Sequence, residues 1–155
     1  MRPARAILLA SHGTAGARAA ERMALDLCAR GGRLHHLVVI PDFWKGMLGD
    51  DWLNNAVTQI RFGHYVEGQL EREVGEQVAR LEAKIRARGL GHSHETALGD
   101  PAECLIVAAE RRPPDLVIIG APRPKGVIGY RSRMDVETLI RRLRAPLLIV
   151  PFAPR

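Results

Sequence analysis

The sequence predicts an α/β protein built on an open, doubly wound five-stranded parallel sheet with helices on both faces. Short branched apolar runs bounded by proline or glycine, such as Leu116–Ile119 and Leu147–Val150, are typical of strands covered on both sides. Helical patterns separate most of these runs, giving five strands that alternate with four helices. A strand–helix–strand unit requires a parallel pair joined by a crossover.

The first strand–helix–strand unit occupies the amino-terminal 40 residues. Ala6–Ser11 is the first predicted strand, and Thr14 is a candidate N-cap for the helix that follows. Apolar spacing carries this helix to about Arg30, where the glycine pair 31–32 should end it. The second predicted strand is Leu34–Ile40.

The connection from Pro41 to Gly68 is long and aromatic. Two interpretations remain open: a connection whose aromatic side chains cover one end of the core, or a lid or dimer surface. A charged helix is predicted over Glu67–Arg88, with an apolar face that includes Val78, Leu81 and Ile85. Five of the seven aromatic residues of the chain lie in the connection: Phe43, Trp44, Trp52, Phe62 and Tyr65.

The second half of the chain supplies the other three strands. His92–Leu98 alternates polar and apolar residues, which favours a strand at a sheet edge. Asp100 as N-cap, followed by proline and by glutamate at the third helical position, predicts a helix that continues to Arg111. Its inward residues should be Cys104, Val107 and Ala108. The last helix should bury Val136, Leu139, Ile140 and Leu143.

Composition indicates one soluble domain over residues 1–155, without a membrane span. The two cysteines, Cys28 and Cys104, fall in helical patterns and are predicted to be buried small hydrophobes in a reducing cytosol, so a cytoplasmic location is expected. Charge is uneven: from Arg111 onward there are ten lysines and arginines against three acids, and thirteen against fourteen elsewhere. A basic carboxyl-terminal part favours anionic partners.

The order of these elements, together with the segments GDPAECLIVAAERRPPDLVIIGA (99–121) and ETLIRRLRAPLLIV (137–150), resembles the universal stress protein family. The resemblance also covers AILLASHGT near the start and LVVIP at the end of the second strand. It implies the strand order 3-2-1-4-5 and a homodimer formed through the last strand, Pro146–Val150. It also implies a binding or regulatory role rather than an enzyme, with weak ATP hydrolysis left open.

The nucleotide-binding motif of that family is mostly lost in this chain. Family members carry Gly-x-x-Gly, nine residues, and then Gly-Ser or Gly-Thr, whose backbone amides hold ATP phosphates. In the matching register only Gly120 is retained, while Arg123, Arg133 and Met134 replace the other three residues. His12 replaces the acidic residue that usually ends the first strand.

The loop from Gly120 to Met134 remains a candidate anion site, because it holds four cations and no acid. Arginine at two former glycine positions obstructs a phosphate but supplies donors suited to an anion. Gly126 and Gly129 are candidates for a substitute anion nest, and Ser132 for the cap of the last helix with Asp135 at its third position. The alternatives are an altered site for ATP, AMP or another phosphorylated molecule, a site for an acidic protein segment, and a loop of solvated arginines. The residues predicted to surround a ligand are Ser11, His12, Gly13, Val39, Ile40, Gly120, Arg123, Lys125, Gly126, Gly129, Arg133 and Met134.

Other chemistry receives less support from the sequence. His35 and His36 should lie beside His92 and His94, yet adjacent residues of a strand face opposite sides, so no metal site is predicted. No catalytic constellation is apparent, since no local acid partners the Ser11–Thr14 turn. A dimeric protein-interaction module without nucleotide is the main alternative. Nucleic-acid binding is weaker still, since it would rest on the basic loop and on Arg141, Arg142 and Arg144 without a recognised motif.

Overall fold

The computed structural model describes residues 3–11, 15–40, 72, 75–121 and 134–151. The strands are β1 (Ala4–Ser11), β2 (Cys28–Ile40), β3 (Gly91–Leu98), β4 (Leu116–Gly120) and β5 (Leu147–Val150). The helices are α1 (Ala15–Leu27), α2 over residues 75–87, α3 (Pro101–Arg111) and α4 (Val136–Arg142). None of the described helices is long and apolar enough to cross a membrane.

All strand pairs are parallel, and the order across the sheet is β3-β2-β1-β4-β5. The predicted fold class and strand order are therefore confirmed. β1 lies at the centre, with Ala10 paired to Ile119 of β4 and Ser11 paired to Val38 of β2. β3 forms one edge, as its alternating sequence predicts, and β5 forms the other.

Successive residues of β1 face two separate hydrophobic layers. Ile7 and Leu9 pack in the layer that holds the buried residues of α1 and α2, among them Ala24 and Leu81. Leu8 and Ala10 pack in the opposite layer, which holds the buried residues of α3 and α4. Strand alternation thus places two helices against each face, as a doubly wound sheet requires.

The passage from α1 to β2 differs from the prediction. The helix ends at Leu27 rather than near Arg30, so Cys28 is the first residue of β2 instead of a helical residue. Gly31 takes a left-handed φ of 75°, and the pairing of β1 with β2 shifts between Ala4 and Ala6. The glycine pair therefore bends an irregular strand start and does not end the helix.

Three further details of the helices correct the prediction. Val107 and Ile140 are 44% and 70% exposed, because the buried faces of their helices are instead centred on Leu105 and Leu139. Asp135 itself is the N-cap of α4, where it accepts from the backbone N–H of Thr138. The prediction of Ser132 as the cap, with Asp135 at the third helical position, was therefore wrong. Both cysteines are only partly buried. The aromatic connection 41–68 lies outside the described residues.

Candidate functional site

The carboxyl ends of β1 and β4 form the topological switch point of the sheet. Their last paired residues are Ala10 and Ile119, and Ser11 and Gly120 follow side by side. The strand that follows β1 in the chain is β2 and the one that follows β4 is β5, and these two strands lie on opposite sides of this point, so the connections lead in opposite directions across the sheet. Open α/β sheets bind ligands in the crevice that such divergence leaves.

The floor of this edge is apolar and well packed. Val39 is 2% exposed and Met134 is 6% exposed, and both join Ala10 and Ile119 in one hydrophobic cluster. Gly120 is partly exposed, and the next residue, Ala121, donates its N–H to the carbonyl of Val150 at 2.8 Å. A bound group would therefore meet backbone and a hydrophobic floor at this point.

Of the predicted ligand residues, the structure describes Ser11, Val39, Ile40, Gly120 and Met134 and places all five at this edge or directly beneath it. The remaining seven lie outside the described residues: His12, Gly13, Arg123, Lys125, Gly126, Gly129 and Arg133.

The described chain resumes at Met134, and Asp135 caps α4 directly after it. Asp135 accepts from the backbone N–H of Thr138 at 3.2 Å and from its hydroxyl at 2.8 Å. These two hydrogen bonds, that of the hydroxyl foremost, lower the pKa of the Asp135 carboxyl. The carboxylate is therefore committed to the helix it caps.

The basic carboxyl-terminal helix is partly neutralised. Arg141 pairs with Glu137 at 2.5 Å, one turn away on the same helix, and Arg142 pairs with Glu103 of α3. Two of the three arginines considered for nucleic-acid binding thus have a carboxylate partner. Exposed pairs of this kind contribute little stability but reduce the local positive potential.

The histidines of β2 and β3 divide between the two faces of the sheet. His36 pairs with His94 in the strand register, and His92 stacks on His94 with ring centroids 5.6 Å apart. Burial is the main cause that lowers the pKa of His36 to about 3 and that lowers the pKa of His92. Within the described part of the chain, no group of three or more histidine, cysteine or acidic side chains is arranged to hold a metal ion.

The opposite face of the same two strands holds a hydrogen-bonded chain that sequence reasoning missed. Nδ1 of His35 lies 2.6 Å from Oγ of Ser93, and Nε2 lies 3.1 Å from Oε1 of Glu95. The alternation of Ser93 and Glu95 on one strand, beside a histidine on its neighbour, is the signal that could have found it. Arg111 at the end of α3 holds the other oxygen of Glu95 at 3.3 Å.

Comparison with known proteins gives the family context. The sequence model of the universal stress protein family matches residues 3–151. No curated protein matches the chain.

Solved structures are similar over nearly the whole chain. Hypothetical protein MJ0577 is 16% identical with a TM-score of 0.75, and all of each chain is covered. An Arabidopsis thaliana family member with AMP bound is 13% identical with a TM-score of 0.62, covering 96% of this chain and 92% of that one. A universal stress protein in complex with cAMP is 16% identical with a TM-score of 0.59, covering 96% and 98%. The structural similarity establishes a shared fold, and identities this low establish nothing further.

Proposed function

Because this chain belongs to the universal stress protein family, we propose that it is a binding or regulatory module that holds an adenine nucleotide or another phosphorylated anion at the β1/β4 switch point. The observation that carries the proposal is the position of Ser11 and Gly120 at the ends of the adjacent strands β1 and β4, at the point where the strand order reverses. A residue without a side chain at the end of β4 leaves the backbone open to a phosphate.

The chemistry around this edge supports an anionic ligand with an apolar base. Ser11, His12 and Gly13 would flank one side, and Val39 and Ile40 would lie at the adenine. The loop cations Arg123, Lys125 and Arg133 would surround the phosphate end, with no acid between Gly120 and Met134 to compete for them. Two proteins of the same fold have AMP or cAMP bound, which is consistent with this ligand class.

Calorimetric titration with ATP, AMP and inorganic phosphate at low and moderate salt tests the proposal. Micromolar binding of a nucleotide, weakened by salt, is expected if the loop arginines hold the phosphates. The double variant Arg123→Gly/Arg133→Gly, which restores two family glycines, should shift preference toward ATP. Arg86→Gln is the matched control, because Arg86 is an exposed arginine of α2 paired with Glu82. No heat with either nucleotide from the folded wild-type protein would contradict nucleotide binding and favour the protein-interaction alternative.

The same family membership leads us to propose a homodimer formed through β5. This strand is an edge, and three of its four residues, Leu147, Leu148 and Ile149, are apolar and only partly buried. The carbonyls of Pro146 and Val150 accept from the N–H groups of Val117 in β4 and of Ala121 directly after it. The alternating N–H groups of Leu147 and Ile149 therefore face the open edge. An apolar open edge favours a partner strand.

Sedimentation velocity tests this interface with two variants. Ile149→Pro removes an N–H on the open side and should give monomers while leaving the β4 hydrogen bonds intact. Ile140→Ala, on the exposed face of α4, should leave the dimer unchanged. The reverse result, dissociation by Ile140→Ala alone, would place the interface on the helices and refute pairing through β5.

A further inference from the structure

The chain Ser93–His35–Glu95 has the geometry of an activated nucleophile. The hydroxyl and the imidazole are 2.6 Å apart, and the imidazole and the carboxylate are 3.1 Å apart. A nucleophile within hydrogen-bond reach of a base, with the base oriented by a third group, is the arrangement that nucleophilic catalysis requires. The three residues come from two neighbouring strands in which His35 is paired with Ser93.

The carboxylate sets the direction of the hydrogen bonds. An ionised Glu95 can only accept, so Nε2 of His35 donates to it. In the neutral imidazole Nδ1 then accepts from the Ser93 hydroxyl, which places a base within reach of the serine proton. Arg111 holds the second oxygen of Glu95 at 3.3 Å, so the carboxylate is fixed from both sides.

The nucleophile faces open space. A cavity of about 370 Å³ and an adjoining one of about 360 Å³ are both lined by His35, Ser93 and Arg112. The side chain of His35 is 16% exposed, so the relay is partly desolvated but accessible. The larger cavity is also lined by Pro113, Pro114 and residues Ala6 to Leu8 of β1.

The charge of the larger cavity points to an anionic substrate. Arg33 and Arg112 both line it, and neither guanidinium has a hydrogen-bond or ion-pair partner among the described residues. The nearby carboxylate of Asp115 is already committed, because it accepts from the backbone N–H groups of Arg5 and Ala6 at 3.0 Å each. The two arginines are therefore available to a substrate carboxylate or phosphate and to the oxyanion that forms during attack.

We propose that Ser93, His35 and Glu95 form an acyl-transfer site for small carboxylic esters that carry an anionic group. Ser93 Oγ bonds to the ester carbonyl carbon while its proton passes to Nδ1 of His35. The C–O bond of the ester then breaks, and the leaving alcohol takes that proton. Water repeats the sequence on the acyl-serine and releases the carboxylic acid and the free hydroxyl. Glu95 is a positioning residue, since it acts only through His35.

This activity goes beyond the nucleotide-binding function proposed above and is independent of it. The cavity is lined by β1 only from Ala6 to Leu8, before the strand reaches the switch point at Ser11. Failure of nucleotide binding therefore leaves this site untouched, and failure of this site leaves nucleotide binding untouched.

A fluorophosphonate probe, which loses fluoride as its phosphorus bonds to an activated serine oxygen, tests the proposal on the intact protein. Mass spectrometry should locate the label on Ser93, and the same protein should hydrolyse a nitrophenyl ester with a free carboxylate. Ser93→Ala should abolish both. Thr96→Ala removes an exposed hydroxyl of the same strand that lines neither cavity, and this variant should react like the wild type.

The role of the base distinguishes catalysis from strand pairing. His35→Ala should slow labelling by about 100-fold, the range of a general base, and added imidazole should restore part of the rate. Glu95→Gln should also slow labelling, and the Glu95→Asp variant should label faster than the Glu95→Gln variant because it keeps a carboxylate. A merely structural hydrogen bond predicts no rescue by imidazole.

Two results would overturn the proposal. One is a folded wild-type protein whose Ser93 reacts no faster than its other hydroxyls, which decides the matter even if the His35 variant fails to fold. The other is a folded His35→Ala protein that labels at the wild-type rate, because the serine would then owe nothing to the imidazole.

Discussion

Acid should destabilise this fold through His36, whose surface is 0% exposed in β2. Burial lowers the pKa of the imidazole from 6.5 to about 3, and the charges of His92, His94 and Arg80 act in the same direction. Below pH 6.5 the unfolded chain therefore binds a proton that the folded chain excludes. The stability of the native state is undiminished above pH 6.5 and falls progressively as the pH decreases toward 3. Since each pKa unit corresponds to about 1.4 kcal/mol, the loss at about pH 5 is about 2 kcal/mol.

Urea unfolding of the wild type and His36→Leu, at about pH 7.5 and about pH 5, measures this term. Carboxylates contribute equally to both proteins, so the difference between their pH responses isolates His36. The wild type should lose about 2 kcal/mol more than the variant over this interval. His94→Gln, at an exposed histidine of the neighbouring strand, should keep most of the response. A difference below about 0.5 kcal/mol between wild type and His36→Leu would refute the reasoning.

Two further pairs of variants test the packing. Leu139→Ala should lower the free energy of unfolding in urea by about 3 kcal/mol, because the side chain is fully buried. Ile140→Ala, on the exposed side of the same helix, should lower it by less than about 0.5 kcal/mol. Equal losses would contradict the assigned helix face. Gly32→Ala should cost about 1–3 kcal/mol, since its new Cβ would lie 2.8 Å from the carbonyl oxygen of Arg5. Gly75→Ala should stabilise α2 by about 0.5–1 kcal/mol, because its new Cβ would have no neighbouring atom within 4 Å. If Gly32→Ala were stabilising instead, β2 would have to shift away from β1 to admit the Cβ.

The sequence was sufficient for the fold because the signals that set it are local. The apolar runs of β4 and β5 are bounded by proline and glycine, and their observed bounds agree with the prediction to within one residue. Asp100 and Pro101 likewise define the start of α3 through a cap that depends only on neighbouring residues, with the Asp100 carboxylate accepting from the N–H of Glu103 at 3.0 Å.

The errors arose where tertiary contacts override local pattern. Apolar spacing alone could not show that Val107 and Ile140 lie on the exposed sides of short helices, since the buried face is set by what packs against it. The helical pattern through Cys28 gave way to pairing with Ala4 of β1. Such pairing partners are distant in sequence, and no local propensity encodes them.

The candidate sites were predicted unequally for the same reason. Ser11 and Gly120 could be placed at the switch point, because the ends of predicted strands are sufficient to find it. The contacts of His35 with Ser93 and Glu95 could not, since residues 58 and 60 positions apart meet only once the register of β2 and β3 is known. The sequence placed histidines of these strands side by side but did not identify which side chains would share a face.

The two edges of the sheet differ in chemistry, and this difference bears on how many copies can assemble. β5 is wholly apolar, whereas the edge strand β3 carries the exposed polar residues His94 and Thr96. Two chains joined through β5 would have β3 at both outer ends of the combined sheet. Hydrated side chains there oppose the addition of another strand. Association would therefore stop at a closed pair rather than continue into a filament.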